Sequence, residues 1–377
     1  MKLLKSIISI CSLSIMLFLT ACGGGGSSSS DGSLSLKLTD ATTNDYQAVY
    51  VTIEEVRVCL DDENEGEENS WLTVAEPEKT YNLLELVNGV QEQLGITDLD
   101  AGHYTQMRLI IGTTADDGLN ILGVNHPPSY DGNYIVDDAD AYHKLKIPSG
   151  IQTGIKLVSG FDIYENQTTE LILDFDASRS VVKAGNSGKW LLKPTIKVLG
   201  TTVATISGNV GEEGNGGLEG VLVSAQVYNS DDDDVIVQAS TITDEDGDYV
   251  LFVEPGVYNL VAYVEGYDPK CNYIDKNLTL ASALMGTLGG HVNVDTELED
   301  PYVSISVRQS TQCETGIDTK IEIVFFNIID VEDYSVNLPV GTYEIVAETE
   351  GYDPQVHTVD ITEDSTTELD INFESGS

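Results

Sequence analysis

The sequence predicts a mainly β protein, in which a β-rich N-terminal domain with one helix precedes two tandem β-sandwich domains. The first half alternates apolar and polar residues in short runs, as at Leu34, Leu36 and Leu38, and this alternation is typical of strands with one buried face. The second half contains a repeat, because the segment 256–269 (GVYNLVAYVEGYDP) returns 85 residues later as 341–354 (GTYEIVAETEGYDP). A repeat of that length with frequent turn signals favours tandem sandwiches of about seven strands over a solenoid.

The N-terminal domain is expected to span residues 33–199. A long strand covers 48–58, where the alternation slips at Glu54-Glu55 and therefore predicts a β-bulge. Further alternating segments predict strands at 103–111, 155–163, 169–175 and 190–198. The helix is expected between Tyr81 and Leu94, because the apolar residues of this segment fall on one helical face: Leu83, Leu86, Val87, Val90 and Leu94.

Ordered motifs run through this domain: GSLSLKLTDA (32–41), Trp71, NLLEL (82–86), AGHYTQMRL (101–109), KIPSG (146–150), TGIKL (153–157), LDFDASRSV (173–181) and LLKPTIKV (191–198). Together they resemble a family of bacterial lipoprotein domains, the domain of unknown function 4382. The resemblance covers nearly all of 33–199. It implies an exported β-rich domain that is usually lipid-anchored, and it implies no catalytic residue.

The repeat divides the second half into units at 201–285 and 286–377, in which Tyr249 and Tyr334 are equivalent. The first unit contains ISGNV (206–210), GLEGVLVSA (217–225), TDEDGDYVL (243–251) and VEPGVYNLVAYVEGY (253–267). These motifs resemble the carboxypeptidase regulatory-like family, a transthyretin-like β-sandwich. The second unit keeps only LPVGTYEIVAETEGY (338–352). The resemblance implies that both units are accessory, non-catalytic domains.

The first residues indicate export and lipid anchoring. A short basic start precedes an apolar run, 7–19, that is too short to span a membrane and predicts a signal peptide over 1–21. The run ends in LTAC, which resembles the lipobox of bacterial lipoproteins and implies that Cys22 is lipidated. The alternative is an ordinary cleaved signal. A Gly/Ser tether completes the segment 22–32, and Gly rather than Asp after Cys22 implies outer-membrane delivery, by resemblance to enterobacterial lipoproteins.

The charge of the chain is strongly negative, with 63 acidic against 18 basic side chains and a formal net charge of −45. A surface of this sign repels phosphate backbones, so nucleic acid is not expected as a partner. Two interpretations of the acidity stay open, solubility in a salty medium and binding of calcium. Asp244, Asp246 and Asp248 surround Gly247 and offer oxygen ligands for calcium, whereas a β-turn stabilised by Asp side chains is the alternative.

Few cysteines remain for disulfide formation in the exported chain. Cys11 leaves with the signal peptide and Cys22 is lipidated, so Cys59, Cys271 and Cys313 remain. An exported chain permits disulfides, and three cysteines allow three pairings. We expect the bond between Cys271 and Cys313, because both lie in the acidic half.

Together these patterns predict a lipid-anchored outer-membrane or cell-surface protein that acts as a non-catalytic binding or adhesion module. A carbohydrate or a protein is the expected ligand, the membrane is the expected partner of the anchor, and calcium is the one cofactor considered. An enzyme is not expected, because the sequence contains no nucleophile elbow, phosphate-binding loop or paired-histidine metal motif. Two alternatives stay open: a structural spacer or stalk, and a hydrolase with accessory sandwiches.

Overall fold

The structure is a computed structural model of the 377-residue chain. It describes residues 31–374 apart from 42, 44, 61–70, 149–153, 158–159, 185–188, 201–202, 213, 274, 295–301, 315–316 and 330–331. The expected signal peptide, the predicted lipidation residue Cys22 and the tether up to residue 30 lie outside the described residues.

The N-terminal domain is built from strands β1 to β15. These are β1 (Gly32–Ala41), β2 (Ala48–Cys59), β3 (Trp71–Ala75), β4 (Lys79–Asn82), β5 (Glu92–Leu99), β6 (Gly102–Tyr104), β7 (Gln106–Ile111), β8 (Tyr134–Val136), β9 (Tyr142–Lys146), β10 (Ile155–Leu157), β11 (Phe161–Ile163), β12 (Thr168–Asp176), β13 (Val181–Ala184), β14 (Lys189–Leu192) and β15 (Ile196–Leu199). Helix α1 (Ala177–Ser180) and two 3-10 turns, Leu83–Glu85 and Pro128–Tyr130, lie between strands.

Two sheets of this domain enclose one apolar core. The first has the order β15-β12-β1-β5, with β1 parallel to β12, and the second runs β10-β7-β2-β8-β9-β14-β13 with β3 and β4 paired to β2. Leu34, Leu36 and Leu38 of β1 are buried in the same cluster as Val51 and Ile53 of β2. The alternation in the sequence therefore marks the core face, as predicted. The register of β2 against β7 shifts between Ile53 and Glu55, which confirms the predicted bulge.

The helix predicted between Tyr81 and Leu94 is wrong. This segment contains the end of β4, one 3-10 turn and the start of β5. Asn88 and Gly89 both have positive φ angles, 54° and 87°, and two successive residues in that region end a right-handed helix. The one α-helix in the described part of the chain is α1, where the side chain of Asp176 accepts from the backbone N–H of Arg179 and caps the first turn.

The two C-terminal units are sandwiches with the same strand order. The first contains β16 (Ala204–Glu212), β17 (Gly216–Gly217), β18 (Leu222–Asn229), β19 (Asp234–Ile242), β20 (Asp248–Val253), β21 (Asn259–Tyr263), β22 (Lys270–Asn272) and β23 (Leu278–Leu280). The second contains β24 (Met285–Val294), β25 (Tyr302–Glu314), β26 (Ile317–Ile329), β27 (Glu332–Pro339), β28 (Gly341–Glu348), β29 (Gln355–Ile361), β30 (Thr366–Glu368) and β31 (Ile371–Phe373). Sheet β19-β18-β21-β22 of the first corresponds to β26-β25-β28-β29 of the second, and β16 and β24 are central in the facing sheets.

A shared contact shows that the sequence repeat is also a structural repeat. The phenol of Tyr249 donates to the carbonyl of Lys276 over 2.7 Å, and the equivalent Tyr334 donates to the carbonyl of Leu369 over 2.7 Å. A glycine of the central strand, Gly208 or Gly290, faces the same carbonyl so closely that a Cβ there would lie 2.0 or 1.9 Å from its oxygen. Each unit therefore requires glycine at this position of its central strand.

The three domains are joined by paired strands, by packing and by covalent chemistry. Strand β13 of the N-terminal domain lies parallel to β26 of the second sandwich, with Lys183 opposite Ile328, so one sheet continues across the boundary. Val261 of β21 packs into the core of the second sandwich, while its neighbour Leu260 packs into the core of the first. Strand β22 of the first sandwich is bonded to β25 of the second by a disulfide described below.

Candidate binding cleft

A cleft of about 450 Å³ lies where the N-terminal domain meets both sandwiches. Volumes in this range at domain junctions are typical of small-ligand sites. All three domains contribute to its walls, with Asp45 and Arg179 from the N-terminal domain, Gln226 and Tyr263 from the first sandwich, and Glu322 and Asn337 from the second.

Arg179 is positioned by the local structure of the N-terminal domain. Asp176 caps helix α1, and its second carboxylate oxygen lies 3.4 Å from the Arg179 Nε. The guanidinium stacks over the ring of Phe325 with 4.0 Å between its carbon and the ring centroid, and it forms an ion pair with the carboxylate of Glu322. One arginine therefore links the first domain to two residues of the second sandwich.

Glu322 is held from the other side by the first sandwich. Its backbone N–H donates to Gln226 Oε1 over 2.9 Å, and its carbonyl accepts from Gln226 Nε2 over 2.8 Å. The hydroxyl of Ser306 donates to the Glu322 carboxylate over 2.7 Å. Gln226 and Glu322 are buried, and buried polar groups that satisfy one another specify a single arrangement. The floor of the cleft is therefore a fixed network that includes all three domains.

Further ion pairs hold the edge between the two sandwiches. Arg308 Nη2 lies 2.7 Å from Asp234 Oδ1, and Lys320 Nζ lies 2.8 Å from Asp233 Oδ2 and 2.7 Å from Glu344 Oε2. The hydrogen bond from Lys320 lowers the pKa of the Asp233 carboxyl below its ordinary value. The aspartate-rich turn before β19 is therefore a contact between domains.

Two family models match this chain, one in its N-terminal domain and one at its C-terminal end. Residues 31–194 match the model of the family described as Domain of unknown function (DUF4382). The N-terminal domain is a DUF4382 domain. Residues 334–377, from β27 onward in the second sandwich, match the PEGA domain family.

The PEGA match corrects the expectation of carboxypeptidase regulatory-like repeats. The one motif of that resemblance that the second unit keeps, 338–352, contains strand β28 with the buried Tyr343 and a turn at Gly351, where φ is 84°. A buried tyrosine on a strand and a glycine in a turn serve small sandwiches of several families, so this pattern does not distinguish among them.

Comparison with solved structures gives matches of low identity. The Bacillus anthracis TIE protein is 14% identical with a TM-score of 0.20 over 92% of this chain and 50% of that chain. The Streptococcal ancillary pilin is 13% identical with a TM-score of 0.19 over 91% of this chain and 99% of that chain. This chain spans half the length of the TIE protein. No curated protein matches the chain.

A group of buried acids lies where the DUF4382 domain contacts the first sandwich. Asp40 is buried on the core face of β1, two residues after Leu38. Its Oδ1 accepts from the backbone N–H of Ala177 over 3.0 Å. Burial, with the charges of Asp176 and Asp174, raises the pKa of Asp40 well above its ordinary value. Burial also raises the pKa of Asp174 to about 7, with Asp176 adding to the shift. Lys197, which is opposite Asp174 on β15, donates to carbonyls of the first sandwich.

The three residues predicted to bind calcium form a turn outside the DUF4382 domain. Asp244 Oδ1 accepts from the backbone N–H groups of Asp246 and Asp248 over 3.0 and 2.9 Å, and Gly247 has a φ of 80°. Asp248 Oδ1 accepts from Asn209 Nδ2 over 2.8 Å. Within the described residues, no three His, Cys, Asp or Glu side chains are grouped so that they could hold a metal ion. Calcium binding by these three residues stays a prediction.

Cys271 and Cys313 form a disulfide, as expected from the sequence, with 5.0 Å between their Cα atoms. Cys59 is buried in the DUF4382 domain. No helix among the described residues is long and apolar enough to cross a membrane.

Sequence reasoning missed both the cleft and the group of buried acids, although each left a signal. Gln226 and Glu322 are polar residues inside strands whose neighbours are apolar, and Asp40 occupies the position after Leu34, Leu36 and Leu38 where another apolar residue is expected. Buried polar residues of this kind are uncommon unless they are paired.

Proposed function

We propose that this protein is a lipid-anchored, non-catalytic binding module of the bacterial outer membrane, and that its ligand binds in the cleft between the three domains. The observation that carries the proposal is the cleft itself, whose floor of Arg179, Gln226 and Glu322 is fixed before any ligand arrives. A rigid site avoids the entropy cost of ordering side chains on binding.

The charges of the walls favour a neutral, hydroxyl-rich ligand such as a short glycan segment. Asp45, Glu265 and Glu322 line the cleft, and Arg179 is already paired with Glu322, so an anionic ligand would meet repulsion. Hydroxyl and amide groups of Ser240 and Asn337 offer donors and acceptors to sugar hydroxyls.

The test of the cleft is a glycan array probed with the labelled protein, followed by titration calorimetry with the glycan that binds. Leu222 is a partly buried wall residue, and Leu222→Trp fills part of the volume. Ile96→Trp is the control, because Ile96 is 66% exposed on β5 and does not line the cleft. We expect Leu222→Trp to abolish binding and Ile96→Trp to retain it. Equal affinity in both variants would contradict the cleft as the site.

The anchor is tested separately, on the membrane fraction of cells that express the chain. Mass spectrometry of the N-terminal peptide should show acyl chains on Cys22, and Cys22→Ala should move the protein to the soluble fraction. An unmodified Cys22 in the mature protein would contradict the anchoring part of the proposal. Screening the same preparation against esters, peptides and glycosides tests the absence of catalysis, and one reproducible turnover would overturn it.

A structural spacer is the second candidate, and the fixed junctions between the domains favour it. A shared sheet at β13 and β26, a disulfide and a buried ion pair hold the domains in one arrangement. A spacer predicts that Leu222→Trp is silent in cells, whereas opening the junctions with Arg179→Met impairs function. A binding module predicts that Leu222→Trp impairs function although the junctions stay closed.

A further inference from the structure

The DUF4382 domain presents an exposed apolar loop, residues 119–124. Four aliphatic side chains extend from it into solvent: Leu119, 64% exposed, Val124, 48%, Ile121, 38%, and Leu122, 37%. Exposed single hydrophobic residues are ordinary, but contiguous exposed apolar groups mark interaction surfaces. This loop is therefore a candidate interaction surface.

The loop is ordered by its own hydrogen bonds, so the exposure of its side chains is built into the fold. The N–H of Asn120 donates to the carbonyl of Val124 over 2.8 Å, and the buried Asn120 Oδ1 accepts from the N–H of Leu122 over 3.0 Å. The N–H of Ile121 donates to the phenol oxygen of Tyr50 over 2.7 Å. These hydrogen-bonding groups of the loop thus face the domain, and its aliphatic side chains face solvent.

An aromatic cluster lies beneath the loop and is hydrogen-bonded to it. Tyr50 stacks on Tyr134 with ring centroids 4.7 Å apart, and His126 Nδ1 lies 2.6 Å from the Tyr134 hydroxyl. Burial lowers the pKa of His126, although the Asp116 carboxylate, 3.8 Å from its Nε2, has the opposite effect. At the edge of the same cluster, the Tyr142 hydroxyl oxygen accepts from Asn120 Nδ2 over 3.1 Å.

The loop carries no charged side chain of its own, although Asp116, Asp117 and Asp131 flank it. The chain carries 63 acidic and 18 basic residues, yet residues 118–130 (GLNILGVNHPPSY) contain none of them. An apolar tip above aromatic residues suits a membrane interface, where aliphatic groups enter the acyl region. Tyr50 and Tyr134 are buried, whereas the partly exposed Tyr130 and Tyr142 of the same cluster are the tyrosines that could reach the headgroups.

We propose that the apolar loop inserts into the bilayer that carries the chain's own lipid anchor, an inference that rests on the proposed lipidation of Cys22. Gly32, the first residue of β1, lies against Ile163, whose partner on β6, Gly102, contacts Leu60. The tether therefore enters the domain at the Leu60 end of β2, whereas the loop lies at its Tyr50 end.

The length of the tether allows both ends of the domain to reach one bilayer. Ten residues of extended chain from Cys22 to Gly32 span at most about 35 Å. The ten residue steps from Tyr50 in β2 to Leu60, just after β2 ends, span about 33 Å in extended chain. With β2 along the membrane surface, the anchor and the loop contact the same leaflet. The anchor supplies a high effective concentration, so a small apolar loop is enough for contact.

The net charge identifies the lipid class. A chain with a formal charge of −45 is repelled by anionic headgroups, so the loop is expected to insert into zwitterionic lipid such as phosphatidylethanolamine. Insertion should weaken as phosphatidylglycerol is added to the vesicles.

The experiment uses the full lipidated chain in vesicles of phosphatidylethanolamine and phosphatidylcholine with brominated acyl chains, which quench tryptophan at the depth of the bromine. Leu122→Trp and Leu119→Trp place a reporter in the loop. Val257→Trp is the control, because Val257 is 64% exposed in the first sandwich. Trp71 and Trp190 are buried in the DUF4382 domain, and the unsubstituted chain measures their background. We expect both loop reporters to lose most of their added emission and to shift to the blue, and Val257→Trp to keep its emission.

The outcomes separate this proposal from the proposed anchor. A chain whose Cys22 is lipidated and which floats with the vesicles, but whose loop reporters emit as in buffer, overturns the loop proposal alone. A chain without acyl groups on Cys22 overturns the anchor, and the loop inference with it. A blue shift of Leu122→Trp without vesicles that rises with protein concentration, together with a dimer in sedimentation, would assign the loop to contact between copies and overturn insertion.

Discussion

The guanidinium of Arg179, in the DUF4382 domain, forms an ion pair with the carboxylate of Glu322, in the second sandwich, 143 residues later in the chain. The side chains of Arg179 and Glu322 are only 20% and 8% exposed, so this pair is largely removed from water. The pair fixes the floor of the cleft and the orientation of two domains at once.

Breaking this ion pair should destabilise the protein far more than breaking a surface pair. Arg179→Met leaves the Glu322 carboxylate buried without its partner, and removal of one member of a buried pair costs about 3–5 kcal/mol. The exposed pair of Lys79 and Glu92 is the matched control, and Lys79→Met should cost less than about 1 kcal/mol. Urea unfolding of both variants measures the difference, and the double variant Arg179→Met/Glu322→Gln should recover part of the loss. Equal midpoints for the two single variants would contradict the structural role of Arg179.

The stability of the protein should fall as pH rises toward 7, because of Asp174. Burial raises the pKa of this carboxyl from 3.8 to about 7 in the folded chain. Its stabilising contribution is complete below the unfolded pKa and is lost as pH rises through the folded pKa. The full difference corresponds to an upper limit of about 4 kcal/mol. Thermal melts from pH 4 to pH 8 should show that Asp174→Asn flattens this slope and raises Tm at pH 8. Asp117→Asn, at an exposed position, should leave the slope of the unsubstituted chain unchanged, and the same slope in Asp174→Asn would contradict the prediction.

Reduction of the disulfide should loosen the junction between the two sandwiches. Cys271 and Cys313 are 42 residues apart, and closing a loop of that length stabilises the folded chain by about 4 kcal/mol in the chain-entropy model. Dithiothreitol should therefore lower Tm, and Cys271→Ala/Cys313→Ala should melt at the lower temperature with or without reductant. A melt of the unsubstituted chain that does not respond to reductant, with the bond shown open by peptide mapping, would contradict this contribution.

Two substitutions of Asp244 separate a turn from a calcium site. The turn needs one oxygen that accepts from Asp246 and Asp248, so Asp244→Asn should keep the stability while Asp244→Ala lowers it by about 1–2 kcal/mol. A calcium site needs the negative charge, so calcium would raise the Tm of the unsubstituted chain and Asp244→Asn would abolish the rise. Melts of the three proteins with calcium and with chelator measure both effects. Equal losses in Asn and Ala without calcium would contradict the turn.

The sequence predicts strands and repeats well where a pattern is local. The alternation of Leu34, Leu36 and Leu38 identifies the core face of β1, and the slip at Glu54-Glu55 identifies the bulge in β2. The repeat predicts two sandwiches, and the structure shows that they share one strand order. Each of these signals depends on residues that are close in sequence.

The helix and the cleft could not be predicted in the same way. The apolar spacing around Leu83 satisfies a helical face, but it does not show that the backbone reverses at Asn88 and Gly89. The cleft assembles Arg179, Gln226 and Glu322 from three domains, and no spacing rule relates residues so far apart in the chain. Docking between domains depends on which sheet edges and polar groups meet in space, which a single sequence does not record.

The pairing of β13 with β26 has a consequence for how the chain folds. Tandem domains with the same strand order can exchange strands during folding, which is a characteristic failure of repeated domains. The DUF4382 domain precedes both sandwiches in the chain, so during synthesis β13 is made before β26 of the last domain, with which it pairs in the folded protein. Once it is occupied in this way, β26 is not available to replace its counterpart β19 in the preceding sandwich. We therefore expect the parallel edge contact to favour assembly of each of the two similar sandwiches from its own strands.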